Sequence, residues 1–392
     1  MMAGNITKLR EGYYRLRYRD ESTYVKAKTD REAEKLMAKF ITDVDSGDFE
    51  QPSKVTFKEF AKRWLKDYAE VELAPKTVYR YKQLLEARIY KAFGDKKLEK
   101  IRPLDLIEFY NGLRKDHKYM SITVEGITEE KKCGPLSDQT ILHHHRLISA
   151  IFEKAIKWGV LKGTNPARRV DAPRVQQHQA KFYEEKQIEE MLEALSKEDI
   201  KYRAIIMLAF ITGARMGEIM GLEWKDIDIE NRIVSVRQAS QYLPGMGTFT
   251  KCPKNPSSYR KISVNASLIK LLVEYKADQQ SKGFLCQDTN RLFIRWNGKP
   301  MNPNKPSDWF PEFLERHNLS HLNFHGLRHT SGTYLISQGM DIPTVAKRLG
   351  HSKPTTTANI YAHAVESRDR QAAKLFEAAV NKKKRETKKS SS

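Results

Sequence analysis

Along the first fifty residues, aromatic or apolar positions alternate with basic ones, the two-residue period of a strand with one buried face. Residues 13–19 (YYRLRYR) and 23–28 (TYVKAK) predict two strands joined at Asp20, Glu21 and Ser22. The period then lengthens to that of a helix, with Asp30 expected as its cap. Ala33, Leu36, Met37, Phe40 and Ile41 form the stripe that packs on the sheet. The opposite sheet face is left to Arg15, Arg17, Arg19, Lys26 and Lys28, a basic ribbon suited to a groove or backbone of DNA. Residues 48–54 (DFEQPSK) break the pattern and predict a linker.

From Thr56 the helical period dominates, with Phe57, Phe60, Ala61, Trp64, Leu65 and Tyr68 on one stripe. Further helices are predicted from Pro75, after Pro103 and after Ser137, and residues 119–133 predict a hairpin or a loop. His143, His144 and His145 are consecutive, so they fan around a helix and cannot share a metal. They are expected at the surface or on phosphates. Residues 164–181 carry two prolines and scattered basic residues without periodicity, a second linker that suits a strap across DNA.

The last stretch begins at Phe182 with helices at 184–195 and 199–211, the latter apolar nearly all round and so buried. Gly213 stops it and Arg215 opens the next helix. The segments RIVSVRQ and SYRKISV predict a small antiparallel sheet, with a turn at Pro244 and Gly245 between them. Helices follow at 265–281, 307–317, 325–338, 341–349 and 366–381. The expected fold is mainly α with small antiparallel sheets, in three domains at 1–50, 55–165 and 175–380. A like-charge tail at 382–392 is expected to be disordered.

Charge sharpens this picture. Lys and Arg number 70 against 49 Asp and Glu, a net charge of +21, while 40% hydrophobic residues suffice for real cores. Such an excess on a globular chain points to a polyanion. The N-terminus lacks an apolar signal region, no apolar run is long enough to span a bilayer, and no basic amphipathic helix with exposed aromatics stands out. Double-stranded DNA leads over a membrane surface. Cys133, Cys252 and Cys286 lack metal or disulfide spacing, which fits a reducing cytoplasm.

The chemistry gathers in short motifs. TGARMGE holds Arg215 with Glu218 one turn on, HGLRH places His325 and Arg328 on one helix face, and KRLGHSKPTTTANIYAH holds His351 and Tyr361. Cleaving a phosphodiester needs an in-line nucleophile, donors for the non-bridging oxygens and a proton for the leaving oxygen. Arginine suits the second need, because its planar fork grips two oxygens and stays charged. A single buried arginine is as readily an ion-pair partner, and Glu218 can pair with Arg215. His321, His325 and His329 recur at helical intervals, but Asn323 and Gly326 interrupt the turn and no carboxylate motif accompanies them, so no metal is expected.

In order and context these motifs resemble the tyrosine recombinases, the phage-type integrases, over residues 175–380. The block 55–165 resembles that family's core-binding domain. Residues 1–50 resemble the arm-binding domain of integrases from phages and conjugative transposons. The resemblance implies that Tyr361 is the nucleophile, leaving a 3′-phosphotyrosyl link and a free 5′ hydroxyl. It implies that Arg215 and Arg328 hold the non-bridging oxygens, that His351 donates to one of them, and that His325 takes part in managing the tyrosine proton. The lysine that protonates the leaving oxygen is Lys254 when PKNPSSYRKI is matched to the family pattern, with Lys251 the alternative. Glu218 is expected to buttress Arg215.

The same resemblance implies a homotetramer on DNA, core and arm sites, and neither ATP nor metal. A DNA-bending host factor and an excisionase are possible partners, and the setting is a bacterial cytoplasm with nucleoid association on DNA. The C-terminal helix at 366–381 is expected to dock on a neighbouring protomer. A type IB topoisomerase-like activity, or a DNA-binding regulator with an inert site, are the competing readings.

Overall fold

The computed structural model describes residues 4–46, 55–124, 127–176, 180–251, 259–351 and 354–360. Side chains are not described at 118–133, 356, 359 and 360. The chain divides into two compact units, residues 1–177 and 178–392.

The first unit opens with an antiparallel sheet of β1 (Asn5–Arg10), β2 (Tyr13–Tyr18) and β3 (Glu21–Lys26), β2 in the middle. Tyr14 and Leu16 point to the face covered by α1 (Asp30–Asp45), which buries Ala33, Met37 and Phe40. Three expectations are corrected. Glu21 and Ser22 pair with β2 as the start of β3 rather than forming the turn. β1 is a third strand, and the cap of α1 is Thr29, whose hydroxyl accepts from the Glu32 amide at 3.3 Å. Asp30 sits inside the first turn, where its carboxylate accepts from the Tyr14 hydroxyl at 2.5 Å.

A helical block follows: α2 (Phe57–Trp64), α3 (Pro75–Leu84), α4 (Pro103–Lys115) and α5 (Asp138–Lys157). A capping box between Thr56 and Glu59 starts α2, and π turns at Leu65–Ala69 and Leu85–Ile89 prolong α2 and α3. Phe57, Phe60, Trp64, Ile151 and Phe152 fill one core. Strands β4 (His117–Val124) and β5 (Ile127–Pro135) pair antiparallel, so the 119–133 segment is a hairpin. His144 is not a surface residue. The fan of three consecutive histidines turns it into the core, fully buried, with Nδ1 2.8 Å from the Thr140 carbonyl oxygen. His145 meets the Tyr110 hydroxyl at 3.1 Å, leaving His143 the exposed member.

The second unit is built around α7 (Ile200–Thr212), which buries Ala204, Ile205, Ile206, Leu208 and Ala209, as its uniform apolarity predicts. It packs against α9 (Ala266–Ser281) and α11 (Phe324–Ser337), while α6 (Glu185–Leu195) contributes Ile188, Met191 and Leu195 to the same core. A short helix α8 (Met216–Ile219) follows α7. β6 (Ile227–Asp228), β7 (Ile233–Val236) and β10 (Arg260–Ser263) form one antiparallel sheet. The turn at Pro244 and Gly245 joins a separate hairpin, β8 (Ala239–Leu243) and β9 (Gly247–Lys251). Helices α10 (Lys305–Arg316), α12 (Ile342–Leu349) and α13 (Pro354–Ile360) follow among the described residues, with α13 packed on α12. Lys254, Tyr361, the predicted helix at 366–381 and the tail lie outside the described residues.

Candidate active site

Left-handed glycines end two helices at the site. Gly213 (φ 61°) stops α7 and Gly350 (φ 72°) stops α12, so each chain turns sharply and presents the residue beyond. Beyond Gly213 lies Arg215 at the cap of α8, and beyond Gly350 lies His351.

Arg215 is oriented by Glu218. Its backbone amide donates to Oε2 and its Nη1 to Oε1, both at 2.9 Å. Nη2 reaches towards the Gly350 carbonyl oxygen at 3.5 Å, while 43% of the side chain stays exposed. Glu218 is buried and would resist charge on that account, but the Arg260 guanidinium and the Arg215 contacts hold its carboxyl below the usual range. Arg328 is buried on α11 and donates from Nη1 to the Gly213 carbonyl oxygen at 2.6 Å, which fixes its fork beside the end of α7.

Burial and nearby positive charge lower the imidazoles of the site. His351 is pushed down to about 4, first by burial and then by Arg328 and Arg215. His325 is lowered in the same order of causes, although its side chain opens to solvent. His329 stands against His325 with ring centroids 5.0 Å apart, and burial and its charged neighbours push it down to about 4. At neutral pH these rings are uncharged in the free protein. Nδ1 of His351 lies 2.7 Å from the Thr357 hydroxyl, which is fully buried on α13.

The structure therefore brings together Arg215, Glu218, His325, Arg328 and His351, drawn from three segments between residues 213 and 351. It also reveals Arg260, to which the SYRKI motif by itself assigns no role. Its Nη2 donates to Glu218 Oε2 at 2.8 Å and its Nε to the Arg348 carbonyl oxygen at 2.8 Å. The signal in the sequence is the alternation of β10, which turns Arg260 inward while Lys261 faces out. Lys251 ends β9, and Tyr361 is the residue after α13. Among the described residues no group of three His, Cys, Asp or Glu is placed to hold a metal ion, and no helix is long and apolar enough to cross a membrane.

On the small N-terminal sheet, Tyr13, Arg15 and Arg17 of β2 and Tyr24 and Lys26 of β3 share the face away from α1. Arg10 and Lys26 lie over the Tyr13 ring at 4.3 and 5.1 Å, and Tyr24 is 67% exposed. Arg19 and Lys28 are not in this row. Arg19 occupies the turn (φ 52°) and pairs with Asp45 of α1 at 2.9 Å. Lys28 lies beyond β3, its backbone amide donating to Glu32. The strands are too short to carry the alternation that far.

The family model described as "Phage integrase family" matches residues 181–368, and that described as "Phage integrase, N-terminal SAM-like domain" matches residues 56–114. The chain is 24% identical to the ICEBs1 integrase of Bacillus subtilis over 350 residues, covering 88% of this chain and 89% of that one. Its fold is similar to that of the Tn1549 transposon integrase solved with transposon right end DNA, with TM-score 0.65, 22% identity, and coverage of 81% of this chain and 100% of that one. It is also similar to the lambda integrase tetramer solved on a Holliday junction, with TM-score 0.56, 19% identity, and coverage of 91% and 94%. Both matched models and the paired arginines and histidines agree: the chain belongs to the phage integrase family of tyrosine recombinases.

Proposed function

We propose the following division of labour within this site. The chain is a site-specific recombinase that cuts and rejoins DNA to integrate or excise a mobile element. The observation that carries the reading is the placing of two arginines at the glycine turns of the site, Arg215 reaching the Gly350 carbonyl oxygen beside His351 and Arg328 holding the Gly213 carbonyl oxygen two residues before Arg215.

Tyr361 supplies the phenolic oxygen. It attacks the scissile phosphorus and the 5′ oxygen departs, leaving a 3′-phosphotyrosyl bond that a 5′ hydroxyl later displaces. Arg215 and Arg328 neutralise the non-bridging oxygens as charge concentrates there. Free tyrosine ionises near pH 10, so the attacking oxygen needs help. The uncharged His325 ring is able to receive its proton, and an arriving phosphate offsets the arginine charge that depresses the ring. His351 contributes a neutral N–H. With the Thr357 hydroxyl donating to Nδ1, the proton resides on Nε2 and is free for a phosphate oxygen. Lys254 protonates the leaving oxygen, with Lys251 the alternative on the same segment. Glu218 keeps the Arg215 fork aimed.

The front of the chain supplies recognition. Residues 1–50 form an arm-type DNA-binding domain, with Arg15, Arg17 and Lys26 in the contacting row and Arg19 and Lys28 at its margin. Residues 55–165 form the core-binding domain and 175–380 the catalytic domain. The basic and aromatic row on β2 and β3, in which Arg17, Tyr24 and Lys26 are exposed, supports the first assignment, and two-site recognition favours recombination over relaxation. A homotetramer acts on core and arm sites in the bacterial cytoplasm at the nucleoid, with a DNA-bending host factor and an excisionase setting direction. Proteolysis of a trapped covalent complex tests the reading. Mass spectrometry should find the nucleotide on the peptide containing Tyr361, and a nucleotide on any other residue contradicts it.

A further inference from the structure

Arg260 stands at the junction of three pieces of the site. Only 6% of its side chain and 8% of that of Glu218 is exposed, so their 2.8 Å contact is a desolvated, charge-assisted bond. The same carboxylate carries Arg215, through its side chain on one oxygen and its backbone amide on the other. The Arg260 Nε meanwhile holds the Arg348 carbonyl oxygen at the end of α12. Two residues later the chain passes Gly350, where an added Cβ would sit 2.8 Å from Arg260 Nη1. The absence of a side chain at Gly350 thus serves the close approach of this guanidinium as well as the positive φ.

We propose that Arg260 is a positioning residue of the recombination site, locking the turn that presents His351 to the Glu218 carboxylate that aims Arg215. The role rests on the recombinase reading given above. Arg260 also begins β10, which pairs with β7 in the sheet of this unit. Geometry selects arginine for the task. One planar fork satisfies a carboxylate and a carbonyl in different directions, whereas a lysine ammonium at the same place is a point charge on a flexible stem.

Charge and geometry separate experimentally. Glu218 is faced by Arg215 from its own helix and by Arg260 from β10. Burial resists its charge and Arg260 is the largest influence favouring it. Arg260→Met removes the cation and the bridge to Arg348. Arg260→Lys keeps the cation and removes the bridge.

The test uses the full chain and a nicked duplex carrying the element's junction, with the rate of covalent adduct formation followed from pH 5 to 9. Gel-shift binding of the same duplex reports that each variant is folded. Arg260→Met is expected to slow adduct formation about a hundredfold, the scale of a small misplacement of reacting groups. Its acid limb should move to higher pH, while DNA binding stays within about threefold. Arg260→Lys is expected to be slowed about tenfold with its acid limb unmoved, and it decides the matter if the Met variant fails to bind. Wild-type rates in both variants overturn the positioning role, as does a loss in Arg260→Met with an unmoved acid limb. No adduct from the wild-type chain overturns the recombinase reading itself, and the role falls with it.

Discussion

Arg328 and Gly213, 115 residues apart, are joined by a 2.6 Å hydrogen bond from the guanidinium Nη1 to the glycine carbonyl oxygen. The bond holds α11 against the left-handed end of α7, and Arg215 emerges just past that end. A Cβ at Gly213 would lie 2.3 Å from the Leu349 side chain, in a backbone conformation with φ 61°. Gly213→Ala is therefore expected to destabilise the protein by about 2–4 kcal/mol, combining left-handed strain with overpacking. Urea denaturation measures this, and an unchanged midpoint contradicts the account of the turn.

Arg328→Lys tests the other end of the same bond. Lysine keeps the charge but cannot both reach the Gly213 carbonyl and fork onto a phosphate. Covalent cleavage is expected to fall about a hundredfold, with DNA binding changed by less than about threefold. Equal loss of binding and cleavage would mean that Arg328 contributes general affinity alone.

His351 gives the site a pH signature. Its folded-state value is about 4 against an ordinary 6.5, lowered by burial and then by the arginines. Between those values the unfolded chain binds the proton that the folded chain refuses, so stability falls as pH drops through this window. His351→Gln should lose less stability than wild type between pH 6.5 and about pH 4.5, a difference readable as urea midpoints. Parallel losses in the two proteins contradict the buried neutral ring.

Much of this was legible in the chain, for local reasons. The apolar run of α7, the stripe of α2 and the glycines at 213 and 350 are short-range signals, and the order of the motifs by itself singles out Arg215, His325, Arg328 and His351. Partners distant in sequence were not legible. Nothing local says that Arg260 reaches Glu218, 42 residues earlier, or the Arg348 carbonyl, 88 residues later. β1 escaped because its residues are nearly all exposed and polar, with only Ile6 partly buried. Thr29 and Asp30 are both competent caps, and the Asp30 carboxylate is engaged instead by the Tyr14 hydroxyl, a partner 16 residues away on the sheet face that α1 covers. His144 shows the same limit, since three equal residues in a row do not disclose which one meets the core.

The row of Arg15, Arg17 and Lys26 bears on recognition. Each cation that neutralises a DNA phosphate steepens the fall of log affinity with log salt by about 0.9, and removing that cation makes the dependence shallower by the same amount. Arg15→Ala combined with Arg17→Ala is expected to reduce the slope by about 2 for a duplex carrying arm sites, and to leave cleavage of a core-only duplex unchanged. An unaltered slope assigns this face to something other than DNA.

The central claim is metal-free tyrosyl chemistry at Tyr361. A duplex carrying the element's junction and nicked beside the scissile phosphate traps the enzyme, because the short cleaved fragment diffuses away. Wild type and Tyr361→Phe are compared on a denaturing gel with chelator present. The account predicts a protein–DNA adduct from wild type and none from Tyr361→Phe, with both proteins binding the duplex. An adduct that survives in Tyr361→Phe, or one that chelator abolishes in wild type, contradicts it.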